Sequence, residues 1–329
     1  MKRYFQVLLL GAMAGSVCLS GCSKSEKTPA AGANRADVSA VSAKADGPVE
    51  MRIKWTTGKK YSMRMEFKQG TETPLPNQPQ PLKGEVNLAQ DFTISALKST
   101  DNGGQELELE FETETMDVSQ GGNLVVSFDS TKNPAPDANN PAAGILRAMI
   151  GARIQYYCDA NGKVEKVGGV DELMKRIAAV GKPQEQAMFK QMFSEDTLKQ
   201  YGDFGDMMPN RMIKVGVSWP VNRDVVSPVG VLAVNVIYTF KNWEQRGDRK
   251  CAHITAAGEI SSKTTSNASG AVVEIKKGKT SGDVWFDPEL GMVVDVNSDQ
   301  TMGLKVTTRT DTMTPQLSQK IRVTLLDVE

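Results

Sequence analysis

One histidine, His253, occurs in the 329-residue chain. Hydrolytic triads and protein-bound zinc usually draw on imidazole, so such chemistry has a single candidate here. His253 lies in an alternating stretch with Thr255 on its own side, where a hydrogen-bonded structural histidine outweighs a catalytic one. Five glutamates, Glu106, Glu108, Glu110, Glu112 and Glu114, recur at every second position. On one strand they project from one face. Such a comb can meet a cation or a basic partner, but calcium wants oxygens converging on a point. A solvated face relieved by neighbouring lysines is the simpler reading. No Gly-rich phosphate loop precedes a helix and no Cys-x-x-Cys occurs. The chain is therefore expected to be no enzyme, with no metal and no cofactor.

A definite covalent chemistry appears at Cys22. Lys2 and Arg3 precede an apolar run from Phe5 to Ala14, followed by small residues. That run is shorter than the ~20 residues a bilayer span needs, so it reads as a secretion signal over residues 1–21. Its end, Leu19-Ser20-Gly21-Cys22, resembles the bacterial lipobox. The resemblance implies that the Cys22 sulfur takes a diacylglycerol thioether. The chain is then cut on the amino side of Cys22 and gains a further fatty-acyl (palmitate-type) chain. Small neighbours let a peptidase reach the bond, and several acyl chains hold where one would exchange. Ser23 stands where an aspartate would be a retention signal, so the pattern implies the outer membrane, facing the periplasm. The expected location is the bacterial cell envelope, with Cys22 as the lipid attachment.

The precursor carries 39 basic and 39 acidic residues, and loss of Lys2 and Arg3 with the signal leaves about −2. No basic block stands out, which argues against nucleic acid as a partner. Of four cysteines, Cys18 leaves with the signal and Cys22 is the anchor, so Cys158 and Cys251 remain in the folded part. An oxidising compartment allows them to pair. Cys158 shares the parity of Ile154 and Tyr156, whereas Cys251 opposes that of Ala252 and Ile254. A disulfide and two separate buried thiols both stay open.

Residues 22–48 combine the acylated cysteine with a polar tether too poor in apolar side chains to order itself. A single domain is expected over 49–329. Met51, Ile53 and Trp55, then Tyr61, Met63, Met65 and Phe67, alternate with polar residues as strands do. Asp101-Asn102-Gly103-Gly104 is a strong hairpin turn, and Asn161-Gly162 sits in another. Pro141 to Gly151 reads as a short helix. From Val170 the period becomes helical, giving an insert over about 169–208 that includes a short helix capped by Ser194. After Ile213 the chain is β again, with candidates at 229–241, 250–263, 271–286, 292–297, 302–310 and 321–328. The stretch Val229–Phe240 is apolar on both parities and is expected to be covered on both faces.

The two β halves look like weak copies. Gly58-Lys59-Lys60-Tyr61 answers to Gly216-Val217-Ser218-Trp219, and Leu88-Ala89 to Leu232-Ala233. The turn at Gly103 answers to Gly247, and Tyr157–Val167 to Phe286–Val296. The order of lipobox, polar tether, Gly-x-x-Tyr strand, Asn-Gly-Lys-Val hairpin leading to Gly169-Val170-Asp171-Glu172-Leu173, helices, Gly-x-x-Trp and a second β half is similar to an uncharacterised family. These are bacterial envelope lipoproteins known as a domain of unknown function, and the likeness covers about 49–310. It implies a curved sheet with helices against one side, as in lipoprotein-carrier and lipid-binding envelope proteins, and brings no catalytic residues.

The expected fold is therefore mainly β (α+β): a strongly curved antiparallel sheet or half-barrel, built from a duplicated β-unit, with the helical insert on one side. Sixteen methionines occur, of which only Met1 and Met13 leave with the signal. Many others fall on inward faces. Their flexible thioethers suit an adaptable apolar site, although core packing accounts for them too. The candidate pocket comprises Met63, Met65, Phe67, Met174, Met188, Phe189, Met192, Phe193, Met292 and Met302. Such a pocket would take a lipid or acyl chain between sheet and helices. The competing expectation is a tethered scaffold with a solid core that holds an envelope protein partner.

Overall fold

The computed structural model describes residues 47–329 except 76–77, 133–140, 181–185, 187–188, 191–192, 204, 228–229, 266–270 and 310. The signal, Cys22 and nearly all of the tether lie outside these residues. Among the described residues, fifteen strands and three helices are assigned. The first half holds β1 (Val49–Glu50), β2 (Lys60–Thr73), β3 (Leu82–Ser99), β4 (Gln105–Gln120), β5 (Asn123–Asp129), β6 (Arg153–Cys158) and β7 (Val164–Gly168), with α1 (Pro141–Met149) between β5 and β6. Then come α2 (Val170–Val180), α3 (Glu195–Gly202), β8 (Met212–Ile213), β9 (Ser218–Ser227) and β10 (Gly230–Arg246). The chain ends with β11 (Arg249–Ser262), β12 (Val272–Asp287), β13 (Met292–Thr307), β14 (Thr312–Met313) and β15 (Gln316–Val328).

The main sheet is a large, curved, antiparallel one that does not close into a barrel. Its order is β7-β6-β4-β3-β2-β15-β13-β12-β11-β10-β9, with β5 added to β4 and β14 to β13. Neighbours along the chain are thus neighbours in space, and β15 returns to pair with β2 along its length. The single break in the circuit lies between β7 and β9, and α2 and α3 are inserted in the sequence at that point. A strand edge left bare offers unpaired amides and carbonyls to any other chain. Here α3 packs against both β7 and β9. Asp203, at its C-cap, accepts a hydrogen bond from the Val164 amide at 2.8 Å, and Gln200 accepts one from the Val226 amide at 3.2 Å. Ser194 caps the other end by accepting from Thr197 N, which satisfies one of the free amides of the first turn.

The two halves repeat in detail. Gly58 (φ 82°) and Gly216 (φ 86°) occupy the left-handed region that glycine enters without a Cβ penalty. Each donates its amide at 2.7 Å to β3 or β10 respectively, Gly58 to Ala96 O and Gly216 to Phe240 O. Ala96 and Phe240 return amide bonds to Lys59 O and Val217 O. A bulge follows both, between Ala96 and Lys98 and between Phe240 and Asn242. Tyr61 opposite Ile94 matches Trp219 opposite Tyr238. In the later hairpins the register shift follows Tyr157 in one and Trp285 in the other, so Tyr157 answers to Trp285, one residue from the match the turn glycines suggest.

Side chains on the inner face form cross-strand rows, and one large cluster joins both halves of the sheet with all three helices. Burial of this many apolar side chains, each contributing ~1.5–3 kcal/mol, is what offsets ordering the chain. Several expectations change. Met51 is buried, but residues 51–59 leave the sheet after the two-residue β1–β8 ribbon. The stretch 292–307 is one strand rather than two. β9, absent from the expected strands, forms the sheet's second edge. β10 is covered on one face only, since Ile237 is 58% exposed while Val236 and Tyr238 are buried. The glutamate comb is broken too. A bulge at Asp91/Phe92 makes Glu112 an extra residue in β4, so Glu114 turns inward while Glu106, Glu108 and Glu110 stay outward. The outward three pair with Lys98 and Arg153, and Glu112 pairs with Lys60.

Candidate functional site

β9 follows the alternation Trp219, Val221, Arg223, Val225, and three of these are apolar residues turned to the interior. Arg223 therefore carries a guanidinium onto the inner face, where it is 5% exposed opposite Val234. Beside it the sheet has unusually small inner residues. Ala256, Gly282 and Ser298 stand in one cross-strand row with Tyr238, and Gly258 opposes Thr280 and Val236 in the next. Small side chains leave room that larger ones would fill, and a cleft of about 420 Å³, counting space open to solvent at its mouth, lies there. Its lining includes Met207, Val236, Ala256, Val284 and Val296, with Arg223, Tyr238, Thr280, Asp283, Asn297 and Ser298 as polar members.

The segment after α3 covers this cleft. Trp219 Nε1 donates to Met207 O at 2.9 Å, fixing the cover to β9. Asp203 is buried and held on the β7 side by the Val164 amide. Asp206 is half-buried; desolvation first, then the Asp203 carboxylate, push it up to about 6, while Arg223 and Lys163 pull the other way. The arrangement is a cleft with apolar side chains, one buried guanidinium, several hydroxyls, and Asp283 and Asn297 in its lining.

The expected pocket residues fall elsewhere. Met63, Phe67, Met302, Phe189 and Phe193 are buried in the one large cluster, with Met65 and Met174 packed at its margin. Phe189 and Phe193 stack at 6.1 Å. Met292 is buried outside that cluster. Met188 and Met192 lie outside the described residues, and none of the other eight lines the cleft. Met207 and Arg223 were missed, although a cation on the apolar parity of a strand is a signal visible in the sequence.

His253 lies on the outer face, 6% exposed, stacked on Trp285 at 4.9 Å. Its Nε2 is 2.7 Å from Asp283, and its Nδ1 is 2.9 Å from Glu244 and 3.0 Å from Asn242. Acidic and amide oxygens occupy both ring nitrogens, so the imidazole braces three strands. Among the described residues no hydroxyl or thiol bonds to it. Cys158 and Cys251 are both free and buried, in separate clusters. Burial pushes their thiols up to about 12 and about 11, so neither is a nucleophile. No group of three metal-binding side chains occurs among the described residues, and no described helix is long and apolar enough to cross a membrane.

Comparison with known proteins yields a family and no activity. No curated protein matches. A crystallised protein from Bacteroides fragilis NCTC 9343 with a YmcC-like fold is similar over 85% of this chain and 99% of its own, at 8% identity and a TM-score of 0.25. An acetoacetate decarboxylase-like enzyme from Sphingomonas wittichii RW1 aligns over 83% of this chain and 94% of its own, at 9% identity and a TM-score of 0.11. Neither likeness is close enough to carry an argument. A family model, by contrast, matches residues 102–293, from the β3–β4 turn through both halves of the sheet to the start of β13. The chain belongs to that family, described as "Family of unknown function (DUF6263)".

Proposed function

We propose that this chain is a membrane-anchored envelope lipoprotein, held through acylated Cys22, that binds an apolar ligand such as an acyl chain between the sheet and the α3 segment. The address rests on Leu19-Ser20-Gly21-Cys22 and the apolar run before it. The binding role rests on the position of the cleft between the sheet and the segment after α3, and on the apolar side chains of Met207, Val236, Ala256, Val284 and Val296 in its lining. Methionine at its roof adapts to irregular apolar shapes. The test is photo-crosslinking of the mature acylated chain in nanodiscs with a diazirine-bearing fatty acid, followed by peptide mapping. Adducts on the peptides carrying Met207, Tyr238 and Val284 support the reading, and adducts confined to the surface end it.

A second reading, a tethered scaffold with a solid core that holds another envelope protein, is favoured by a different observation. The methionines and phenylalanines first assigned to a pocket are packed into the main cluster. Protein crosslinking in intact membranes would then trap one partner while the fatty-acid probe leaves the interior unlabelled.

A further inference from the structure

The chain enters the fold at the end of the sheet that carries the turns at Gly103, Gly162, Gly247 and Gly291. Val49 and Glu50 pair with β8, the Arg52 guanidinium donates to Ala160 O at 2.6 Å, and the Lys54 amide donates to Gly291 O at 2.8 Å. Residues 49–60 thus cross this end, meeting 209–217 at the β1–β8 ribbon. Both segments are basic. Arg52, Lys54, Lys59, Lys60, Arg211 and Lys214 stand against the single acid Glu50. Lys54 pairs with Glu50 and Lys60 with Glu112, whereas Lys59, Arg211 and Lys214 make no ion pair among the described residues. The surrounding turns carry both signs, Arg249 and Lys250 as well as Asp101, Asp159, Glu289 and Glu329. The excess of cations lies on the two crossing segments. Apolar side chains project between them. Met212 is 60% exposed, and Val215 is exposed at the Lys214–Val217 turn. The equivalent turn of the first half, Thr56–Lys59, has exposed Leu97 beside it, the extra residue of the bulge that follows Ala96. Each half therefore presents an apolar side chain next to a lysine.

We infer that this end of the sheet docks on an anionic lipid surface, with Leu97, Met212 and Val215 at the head groups and Lys59, Arg211 and Lys214 among the phosphates. The docking rests on the Cys22 anchor proposed above and adds the orientation of the fold on the membrane. Its position fits the anchor. Residues 23–48 separate Cys22 from Val49, and a flexible chain of that length spans ~28 Å. β4 is 16 residues long, which at ~3.3 Å per residue puts the Gly121-Gly122 turn ~50 Å from this end. The basic end is the one within the anchor's ordinary reach. The chemistry fits as well, because basic side chains gain at an anionic leaflet and exposed apolar ones gain by entering the interface. Leu124 and Val125 are exposed beside the far turn too. There, however, Lys83, whose carbonyl accepts the Gly121 amide, is paired with Glu72.

The experiment places the mature acylated chain in nanodiscs doped with a lipid that carries a nitroxide on its head group, which quenches a nearby fluorophore. Bimane is attached at Val215→Cys on the basic end or at Asn123→Cys beside the far turn. Cys158 and Cys251 are buried, so the new thiol is the reactive one. In phosphatidylglycerol discs the Val215→Cys label should be quenched about threefold or more over the Asn123→Cys label. That quenching should fall by about half or more in phosphatidylcholine discs, in the triple variant Lys59→Gln, Arg211→Gln, Lys214→Gln, and at ~1 M salt, where the Debye length is ~3 Å. Equal quenching of the two labels, or equal quenching in anionic and neutral discs, overturns the docking, and neither comparison needs the triple variant to fold. A Val215→Cys label unquenched in both discs, yet shielded from an aqueous quencher in whole envelopes, marks a protein contact and overturns the lipid assignment. Mass spectrometry of Cys22 reads the anchor separately. If Cys22 is unmodified the anchor fails, and the same two labels on the unacylated chain, added to phosphatidylglycerol vesicles, decide the docking by the same criterion.

Discussion

The Asp203 carboxylate accepts the Val164 amide at 2.8 Å, tying the end of α3 to the edge of a strand that has no neighbour there. Gln200, one turn earlier, does the same for Val226 on the opposite edge. An eight-residue helix thus stands in for the missing strand pairing of an otherwise continuous circuit. Asp203→Leu removes the acceptor and leaves a buried amide without its partner, which costs ~1–3 kcal/mol. Asp203→Asn keeps an acceptor and should cost clearly less. Urea midpoints measure both, and size-exclusion chromatography of Asp203→Leu should show edge-to-edge association through the bared β7. Equal midpoints for Asp203→Leu and wild type would show that the edge needs no such cap.

The repeated turns make a paired prediction. Gly58 and Gly216 have positive φ with open space around a would-be Cβ, so alanine at either meets backbone strain and no clash. Each substitution should cost ~1–2 kcal/mol, by similar amounts, because the strain is the same local one. The two sites lie in different halves of the chain, so the double variant should show the sum within ~0.5 kcal/mol. Thermal or urea unfolding of the three variants checks this.

Those turns were legible because their cause is local. A glycine that must take positive φ, an Asn-Gly pair, or Ser194 ahead of a helical period each act within a few residues. The helices at 141–149, 170–180 and 195–202 and the hairpins at Gly103 and Gly162 follow from such signals. What could not be read depends on pairing across the sheet. The bulge at Glu112 is set by what β3 offers opposite, and one extra residue moved Glu114 from the solvent side of a regular comb to the interior. The cleft was missed for the same reason. Ala256, Gly258, Gly282 and Ser298 are unremarkable one by one, and only the β10–β13 register brings them side by side. The methionines are ambiguous in the sequence because buried packing and an adaptable pocket draw on the same side chain.

Glu114 gives the stability a definite pH dependence. It is 2% exposed, and desolvation pushes its carboxyl from 4.5 up to about 7, opposed only by a hydrogen bond from Gln90 Nε2 at 3.3 Å. Below the unfolded value the carboxyl is neutral in both states and folding carries no penalty. As pH rises from about 4.5, the unfolded chain loses the proton first and is favoured, until the folded carboxyl ionises near 7. Stability should fall by ~3 kcal/mol across that window and then level off. Glu114→Gln should flatten the slope between pH 4.5 and 7, measured as urea midpoint against pH. A wild-type profile that rises with pH there would contradict the burial.

The outer face of the second half is braced around one carboxylate. Asp295 accepts from Arg246, Arg322 and Thr324, and the Arg246 guanidinium lies 3.8 Å over the Trp285 ring whose other face stacks on His253. Asp295 has a side chain only 8% exposed, whereas that of Arg322 is 51% exposed. Removing an exposed partner costs little, because water replaces it, so Arg322→Ala should lose under ~1 kcal/mol. Removing the buried acceptor is a different change. Asp295→Ala leaves Arg246, pinned on the indole, with its opposite charge gone and Arg322 facing it, and the loss should approach ~3 kcal/mol. Adding Arg246→Met to Asp295→Ala should then recover part of that loss, since the stranded cation is the larger share of it. A double variant less stable than Asp295→Ala alone would mean that Arg246 holds the sheet through its stacking on Trp285 and not through its charge.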